Sequence, residues 1–279
     1  MPEFYEVQRM KTYLEDADIF NKKIIEVYIP TLGARCFKSH TKKEAVSFLI
    51  NNYIRSIQTV AKYTIINFQT GSMLCHYRFT GVPHVLGKPY GNRLLSIHSL
   101  PLAAYSKEHV RFSLVFEDSQ QLDYVDTRCL SHIHINQHSH SIDAFKTKLP
   151  CLQDLNTFNP GNFESFKLAT KKSSQDLKTY LQDQRVAPSG IGNYLACEIC
   201  HLARLSPFKK ITKITHKEYN RLLKSISEIH QICTSRADYE WFRVYHKTHC
   251  GTCNAPISHK KHSHKNSQTT WWCESCISI

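Results

Sequence analysis

Two cysteine pairs, Cys250-Gly-Thr-Cys253 and Cys273-Glu-Ser-Cys276, form a C-x2-C-x19-C-x2-C pattern near the C-terminal end of the chain. Thiolates are soft ligands, and four of them in two tight pairs match a tetrahedral structural site for one Zn2+ ion. The spacer between the pairs is long enough for a β-hairpin and is rich in Lys, His, Asn, Gln and Thr, which suit contact with phosphates. His259, His262 and His264 lie in it as competing ligands, but four thiolates complete the tetrahedron unaided. At the other end the chain begins Met1-Pro2-Glu3-Phe4-Tyr5-Glu6. Terminal residues are commonly tolerant of change, and proline opens a strand or most of a helix poorly. If Met1 is removed, Pro2 becomes a secondary amine. Its α-amino pKa leaves a neutral, nucleophilic fraction near pH 7. Taken alone, the stretch fits either an unimportant terminus or a nucleophile flanked by acids.

Two further clusters are weaker. Cys197 and Cys200 form another C-x2-C, but they sit inside a helical apolar pattern with no second pair nearby, which is the pattern of a core. The stretch 131–143, SHIHINQHSHSID, holds four histidines without cysteine or carboxylate at a metal-ligand spacing. It reads as a local compositional bias and only weakly as a metal site.

The elements that must position these residues divide the chain in two. In the first half, 22–29, 63–68, 72–79, 111–116 and 121–126 are short β-rich runs separated by turn residues, preceded by helical spacing over 6–20. Short strands without intervening regular helices predict a sandwich or barrel and exclude a βαβ fold. The stretch 141–163, with its Pro-Gly and several Asn, predicts a linker. Beyond it, 164–184, 192–205 and 215–233 predict helices, the last with Tyr219, Leu222, Leu223, Ile226 and Ile229 on one stripe. The expected divisions are 1–145, 146–163, 164–240 and 241–279.

The 279 residues include 36 Lys+Arg against 23 Asp+Glu, a formal net charge of +13. Both halves are basic, with 18 against 13 up to residue 150 and 18 against 10 after it. A basic balance spread over the whole chain favours a polyanionic partner, most simply nucleic acid. No run of eighteen apolar residues predicts a membrane span. Neither a basic n-region nor an apolar h-region marks a secretory signal, so the expected location is intracellular, where genomic DNA is found. The 11 cysteines then argue against a disulfide framework.

The segment 181–207, LQDQRVAPSGIGNYLACEICHLARLSP, carries Gly190-Ile-Gly-Asn193 between two helical patterns. Glycines permit a tight turn and close backbone approach, and an asparagine at a helix N-terminus suits a phosphate. With Pro2-Glu3 and Glu6-Val7, Ala61-Lys62-Tyr63, and Phe242-Arg-Val-Tyr245 before the four cysteines, the chain resembles the formamidopyrimidine-DNA glycosylase/endonuclease VIII family over nearly its whole length. The resemblance implies an α+β protein. Its expected parts are an N-terminal β-sandwich flanked by helices and a C-terminal helix–two-turn–helix domain with a four-cysteine zinc-finger β-hairpin. It implies a bifunctional DNA glycosylase and abasic-site lyase of base excision repair, monomeric, acting on damaged single- or double-stranded DNA. In that reading Pro2 attacks C1′ and forms a Schiff base, Glu3 moves protons, Glu6 organises the first helix, and Lys62 contacts a phosphate beside the lesion. The base is flipped out of the stack first, and the strand is cut by β,δ-elimination. Asn193, Arg128, Phe79, Leu130, Gln268 and Lys265 are the expected DNA contacts.

The sequence departs from the family pattern at informative places. His76-Tyr-Arg-Phe-Thr-Gly81 stands where the family has His-Leu-Gly-Met-Ser-Gly, so Phe79 replaces a space-filling methionine. Asp126-Thr-Arg128-Cys-Leu130-Ser131 keeps Arg128 but has Leu130 for a wedge phenylalanine. Gln268, five residues before Cys273, replaces an arginine and brings no bidentate fork. Lys265 is the nearby cation that compensates. A smaller set of filling groups implies a weak hold on the orphaned base. They fit the endonuclease VIII-like branch, with oxidised pyrimidines and hydantoins as substrates and activity on single-stranded or bubble DNA. The alternatives are a catalytically weak protein that binds damaged or single-stranded DNA, and an RNA-binding zinc ribbon, against which the N-terminal residues argue.

Overall fold

The β-rich half of the sequence builds two four-stranded antiparallel sheets. The computed structural model describes residues 2–90, 106–140, 142–145, 147–159, 174–186, 188–236, 238–261 and 268–277. They fall into two compact units, Met1–Leu149 and Pro150–Ile279.

In the first unit, helix α1 (Phe4–Asp16) precedes β1 (Ile24–Tyr28), two short helices α2 (Thr31–Ala34) and α3 (Lys42–Leu49), then β2 (Ile54–Val60), β3 (Tyr63–Phe68), β4 (Ser72–His76), β5 (Gly81–Val85), β6 (Val110–Phe116), β7 (Gln121–Asp126) and β8 (His132–Asn136). The strand orders are β1-β6-β7-β5 and β2-β3-β4-β8. Ile57, Ile66, Phe68 and Met73 of one sheet and Phe112, Leu114, Leu122 and Tyr124 of the other share one core, which also takes Val7, Met10, Tyr13 and Leu14 from α1. This is the helix-flanked sandwich that the family resemblance implies, with helix burial on the spacing expected of an amphipathic face. On its far side, β2-β3-β4-β8 is covered by Phe145 against Val60, Ala61, Ile65 and Leu74, so β3 is buried almost throughout.

The sequence reading omits β2 and the helices α2 and α3, and three further details differ from it. The run 72–79 is a strand only to His76, because Arg78 turns into the left-handed region at φ 55°. Gly81–Val85 is a further strand despite Pro83, which an edge strand tolerates because its N–H is not needed by a second neighbour. The histidine-rich stretch is β8, where His132 and His134 alternate with buried Ile133 and Ile135, the period of a half-buried strand.

In the second unit, α4 (Leu177–Leu181), α5 (Asn193–Leu202) and α6 (His216–Ser235) precede a hairpin of β9 (Ser258–Lys261) and β10 (Thr269–Trp272) and a final turn α7 (Glu274–Ile277). Residues 164–173 of the first expected helix lie outside the described residues. The stripe Tyr219, Leu222, Leu223, Ile226 and Ile229 of α6 is buried, and a Thr215–Glu218 capping box starts that helix. Cys197 and Cys200 are core residues of α5, each 1% exposed.

Candidate active site and zinc centre

Helix α1 begins immediately after Pro2, with Glu3 as its N-cap. The Glu6 carboxylate accepts the Glu3 backbone N–H at 2.8 Å. Both acids are buried, at 3% and 7% exposure. The Gln8 side-chain amide donates to Thr59 Oγ1 at 2.6 Å, which ties the same end of α1 to β2. β2 and β3 are joined by the two-residue turn Ala61-Lys62, closed by the Val60–Tyr63 pair. Ala61 takes φ 53°, a conformation that costs an ordinary residue about 1 kcal/mol or more. That turn places Lys62 in the interior at 4% exposure. Burial pushes the Lys62 ammonium down from its ordinary range, and the carboxylates of Glu3 and Glu6 pull it back up. The residues singled out at positions 3, 6 and 62 thus share one buried neighbourhood beside half-buried Pro2.

A second cluster joins the β4–β5 and β7–β8 turns. The Arg128 guanidinium lies over the Phe79 ring at 5.1 Å, and Phe79 and Leu130 expose large apolar side chains. Asp126 fixes both turns. Its Oδ2 accepts from the Leu130 N–H at 2.8 Å, the Ser131 N–H at 2.8 Å and the Ser131 hydroxyl at 2.7 Å. Its Oδ1 accepts from the Arg128 N–H at 3.2 Å and from the Thr80 hydroxyl. Burial works to raise the Asp126 pKa, but these donors overcome it and hold the carboxyl below its usual range. Sequence reasoning missed Asp126 as the organiser. The signal was the pairing of a strand-terminal aspartate with hydroxyls at Thr80 and Ser131.

In the second unit, the Asn193 side-chain amide donates to the Thr269 carbonyl at 3.0 Å, so the Gly-Ile-Gly-Asn turn is tied to β10. Asn193 Oδ1 is a buried acceptor with no hydrogen-bond partner among the described residues. Gln268 holds Gln182 Nε2 at 2.8 Å through its Oε1. Lys178 is 1% exposed and donates to Thr270 Oγ1 at 2.7 Å. Nothing in the helical pattern distinguishes that lysine from a solvated one. Lys265 lies outside the described residues.

The buried Glu198 carboxylate accepts three consecutive backbone N–H groups, from Arg243 at 2.9 Å, Val244 at 3.0 Å and Tyr245 at 2.8 Å. This anchors the segment Phe242–Tyr245 to α5, and Gly251 N–H bonds back to the Arg243 carbonyl at 2.9 Å.

That segment leads directly into the cysteines. The four Sγ atoms of Cys250, Cys253, Cys273 and Cys276 all lie within 4.8 Å of one another. Three of the pairs are 3.5, 3.5 and 3.8 Å apart. A tetrahedron of sulfurs about 2.3 Å from a central zinc has edges of about 3.8 Å, so the four thiols fit one structural Zn2+ with no open position. The closed ligand set assigns zinc a role in folding, not in chemistry. Among the described residues, no other group of three or more His, Cys, Asp or Glu is arranged to hold a metal ion.

A buried pair of acids with a lysine lies beside an N-terminal proline, and a four-cysteine hairpin stands at the other end of the chain. The sequence profile of the formamidopyrimidine-DNA glycosylase N-terminal domain matches residues 1–133. A formamidopyrimidine-DNA glycosylase of Ureaplasma parvum serovar 3 is 31% identical over 232 residues, covering 82% of this chain and 77% of that one. The chain belongs to the formamidopyrimidine-DNA glycosylase family. A second family relative, from Listeria monocytogenes, is 24% identical over 295 residues and covers 99% of both chains. Among solved structures, the Lactococcus lactis family enzyme bound non-covalently to DNA containing an abasic site superposes with a TM-score of 0.81 at 23% identity. That match covers 99% of this chain and 100% of that one. A complex of the Lactococcus lactis enzyme with DNA containing an oxidised pyrimidine gives a TM-score of 0.81 at 23% identity, covering 100% of both chains.

Proposed function

We propose that the chain is a DNA glycosylase and abasic-site lyase of base excision repair that works through the amine of Pro2 once Met1 is removed. The observation that carries this reading is the buried grouping of Glu3, Glu6 and Lys62 at the start of α1, next to Pro2. The neutral amine attacks C1′ of the damaged nucleoside, the N-glycosidic bond breaks, and the base leaves with a proton. Loss of the ring oxygen's bond to C1′ gives an iminium, which acidifies the C2′ protons and permits β-elimination and then δ-elimination. Glu3, shielded from solvent and close to a cation, is the group that moves protons. Lys62 is the cation beside Glu3 and Glu6 and presents its ammonium to a phosphate beside the lesion. Asn193 and Gln268 are further phosphate contacts, and the pair Phe79–Arg128, with Leu130, fills the space that the flipped nucleotide leaves.

The substrate class follows from that filling set. Phe79 and Leu130 are exposed apolar groups on turns, and Leu130 offers less stacking area than an aromatic wedge. A weak hold on the orphaned base favours oxidised pyrimidines and hydantoins in single-stranded or bubble DNA, as in the endonuclease VIII-like branch. Structural neighbours have been seen with DNA carrying an oxidised pyrimidine and with DNA carrying carbocyclic 8-oxoguanine, so both lesion classes belong in the assay. Borohydride trapping on an abasic oligonucleotide tests the mechanism. A covalent adduct with the Met1-free protein that is lost in Pro2→Gly is expected. No adduct from zinc-loaded, Met1-free protein would reduce the chain to a DNA-damage binder.

A further inference from the structure

We propose that Arg78 is an anion-binding residue that receives a backbone phosphate of the DNA, an inference that rests on the glycosylase reading above. Arg78 is a long, charged side chain at φ 55°, in the left-handed region that glycine takes freely and other residues take at a cost. The turn is held by the Arg78 N–H to His76 Nδ1 at 3.2 Å and the Gly81 N–H to the Tyr77 carbonyl at 3.0 Å, neither of which uses the guanidinium. Among the described residues its guanidinium has one side-chain hydrogen-bond partner, His132 Nδ1, 3.1 Å from Nη2. Its Nε is buried with no hydrogen-bond partner, and it has no carboxylate partner there. A buried donor without an acceptor, on a cation without a counter-ion, is a costly arrangement in a finished fold.

The surroundings make the missing partner an anion. His76 and His132 are pushed down to about 3 and about 4, first by burial and next by Arg78. Lys62 acts further on His76, and Lys38 on His132. Both imidazoles are therefore neutral at physiological pH, and His132 Nδ1 serves as the acceptor that orients the guanidinium. In the sequence, no Asp or Glu occurs between Glu44 and Glu108, while six Lys or Arg do. The turn that carries Arg78 also carries Phe79, 46% exposed and stacked under Arg128. Arg78 therefore stands on the turn between the strand that ends at His76 and the exposed filling group. A planar guanidinium with free donors matches the paired oxygens of a phosphate. The chain lacks an arginine at position 268, and Arg78 supplies one such contact elsewhere in the chain.

The test uses full-length, zinc-loaded wild type, R78G and R78K with a duplex carrying an uncleavable tetrahydrofuran abasic analogue, titrated over a series of potassium chloride concentrations. R78G is expected to lower affinity about tenfold and to reduce the log–log salt slope by about one contact. Its melting temperature should hold or rise, because glycine relieves the backbone. R78K should keep the slope and lose part of the affinity. Wild-type affinity and slope in R78G, or a loss of affinity that tracks a fall in melting temperature, would overturn the proposal. Failure of the wild type itself to bind the duplex would overturn the glycosylase reading and this one together, whereas firm wild-type binding that R78G leaves unchanged overturns this one alone.

Discussion

The carboxylate of Glu6 accepts the backbone N–H of Glu3 at 2.8 Å, so the helix that follows Pro2 is capped by one of the acids beside it. Glu6→Ala removes that acceptor. Loss of such a cap costs about 1 kcal/mol and frees the backbone that positions both Glu3 and Pro2. The expected result is a lower melting temperature together with slower borohydride trapping in single-turnover experiments. Glu6→Gln keeps an amide-accepting oxygen and should recover most of the stability. Trapping at the wild-type rate in Glu6→Ala would show that Glu6 serves the helix alone.

Lys62 is held in the interior against the penalty of burial, with Glu3 and Glu6 as its compensating charges. In Lys62→Met the stem is nearly conserved and the charge is gone. Glu3 and Glu6 then lose a nearby cation. The single-turnover glycosylase rate should fall. The measurement is a single-turnover time course of both proteins on the same oligonucleotide. A wild-type rate in Lys62→Met would mean that the lysine takes no part in the site.

Legibility from sequence followed the range of the interactions. The cysteine quartet declared itself because its ligand spacing is local and its chemistry narrow. Glu3 and Glu6 were visible as residues next to a proline, but their burial with Lys62 was not. That burial depends on a hairpin tip, Ala61-Lys62, folding back toward a helix far earlier in the chain. The β5 strand was hidden by Pro83, whose edge position cannot be read before the sheet order is known. β8 was hidden by its histidines, although Ile133 and Ile135 show the alternation once sought. Lys178 and Glu198 are charged residues on helical patterns that ordinarily face water. Their partners, the Thr270 hydroxyl and three backbone N–H groups, come from segments far along the chain.

Acid should destabilise the first unit through His76. It is 9% exposed, and its pKa is pushed down to about 3 by burial and by Arg78. Between that value and the ordinary 6.5 the unfolded chain binds a proton that the folded chain refuses. Stability is therefore full above about pH 6.5 and is lost as pH falls, by up to about 1.4 kcal/mol per pH unit for one such group. Chemical denaturation at pH 7, 6 and 5 checks this. His76→Gln should flatten the dependence by about one proton, and an unchanged slope would place the acid sensitivity elsewhere.

The three amides gathered by Glu198 connect the helix of the Gly-Ile-Gly-Asn turn to the zinc hairpin. Glu198→Ala leaves the N–H groups of Arg243, Val244 and Tyr245 without their acceptor. Each stranded donor costs about 1–3 kcal/mol, so a total loss of about 3 kcal/mol or more is expected. The Gly251 N–H is held by the Arg243 carbonyl, so the damage should pass directly to the first cysteine pair. A chromogenic chelator should strip zinc from Glu198→Ala faster than from wild type, and stripped protein should lose both its thermal transition and its affinity for DNA. Glu198→Gln, which retains one accepting oxygen, should fall between the two. If Glu198→Ala released zinc at the wild-type rate while melting at a lower temperature, the carboxylate would stabilise α5 without supporting the metal centre.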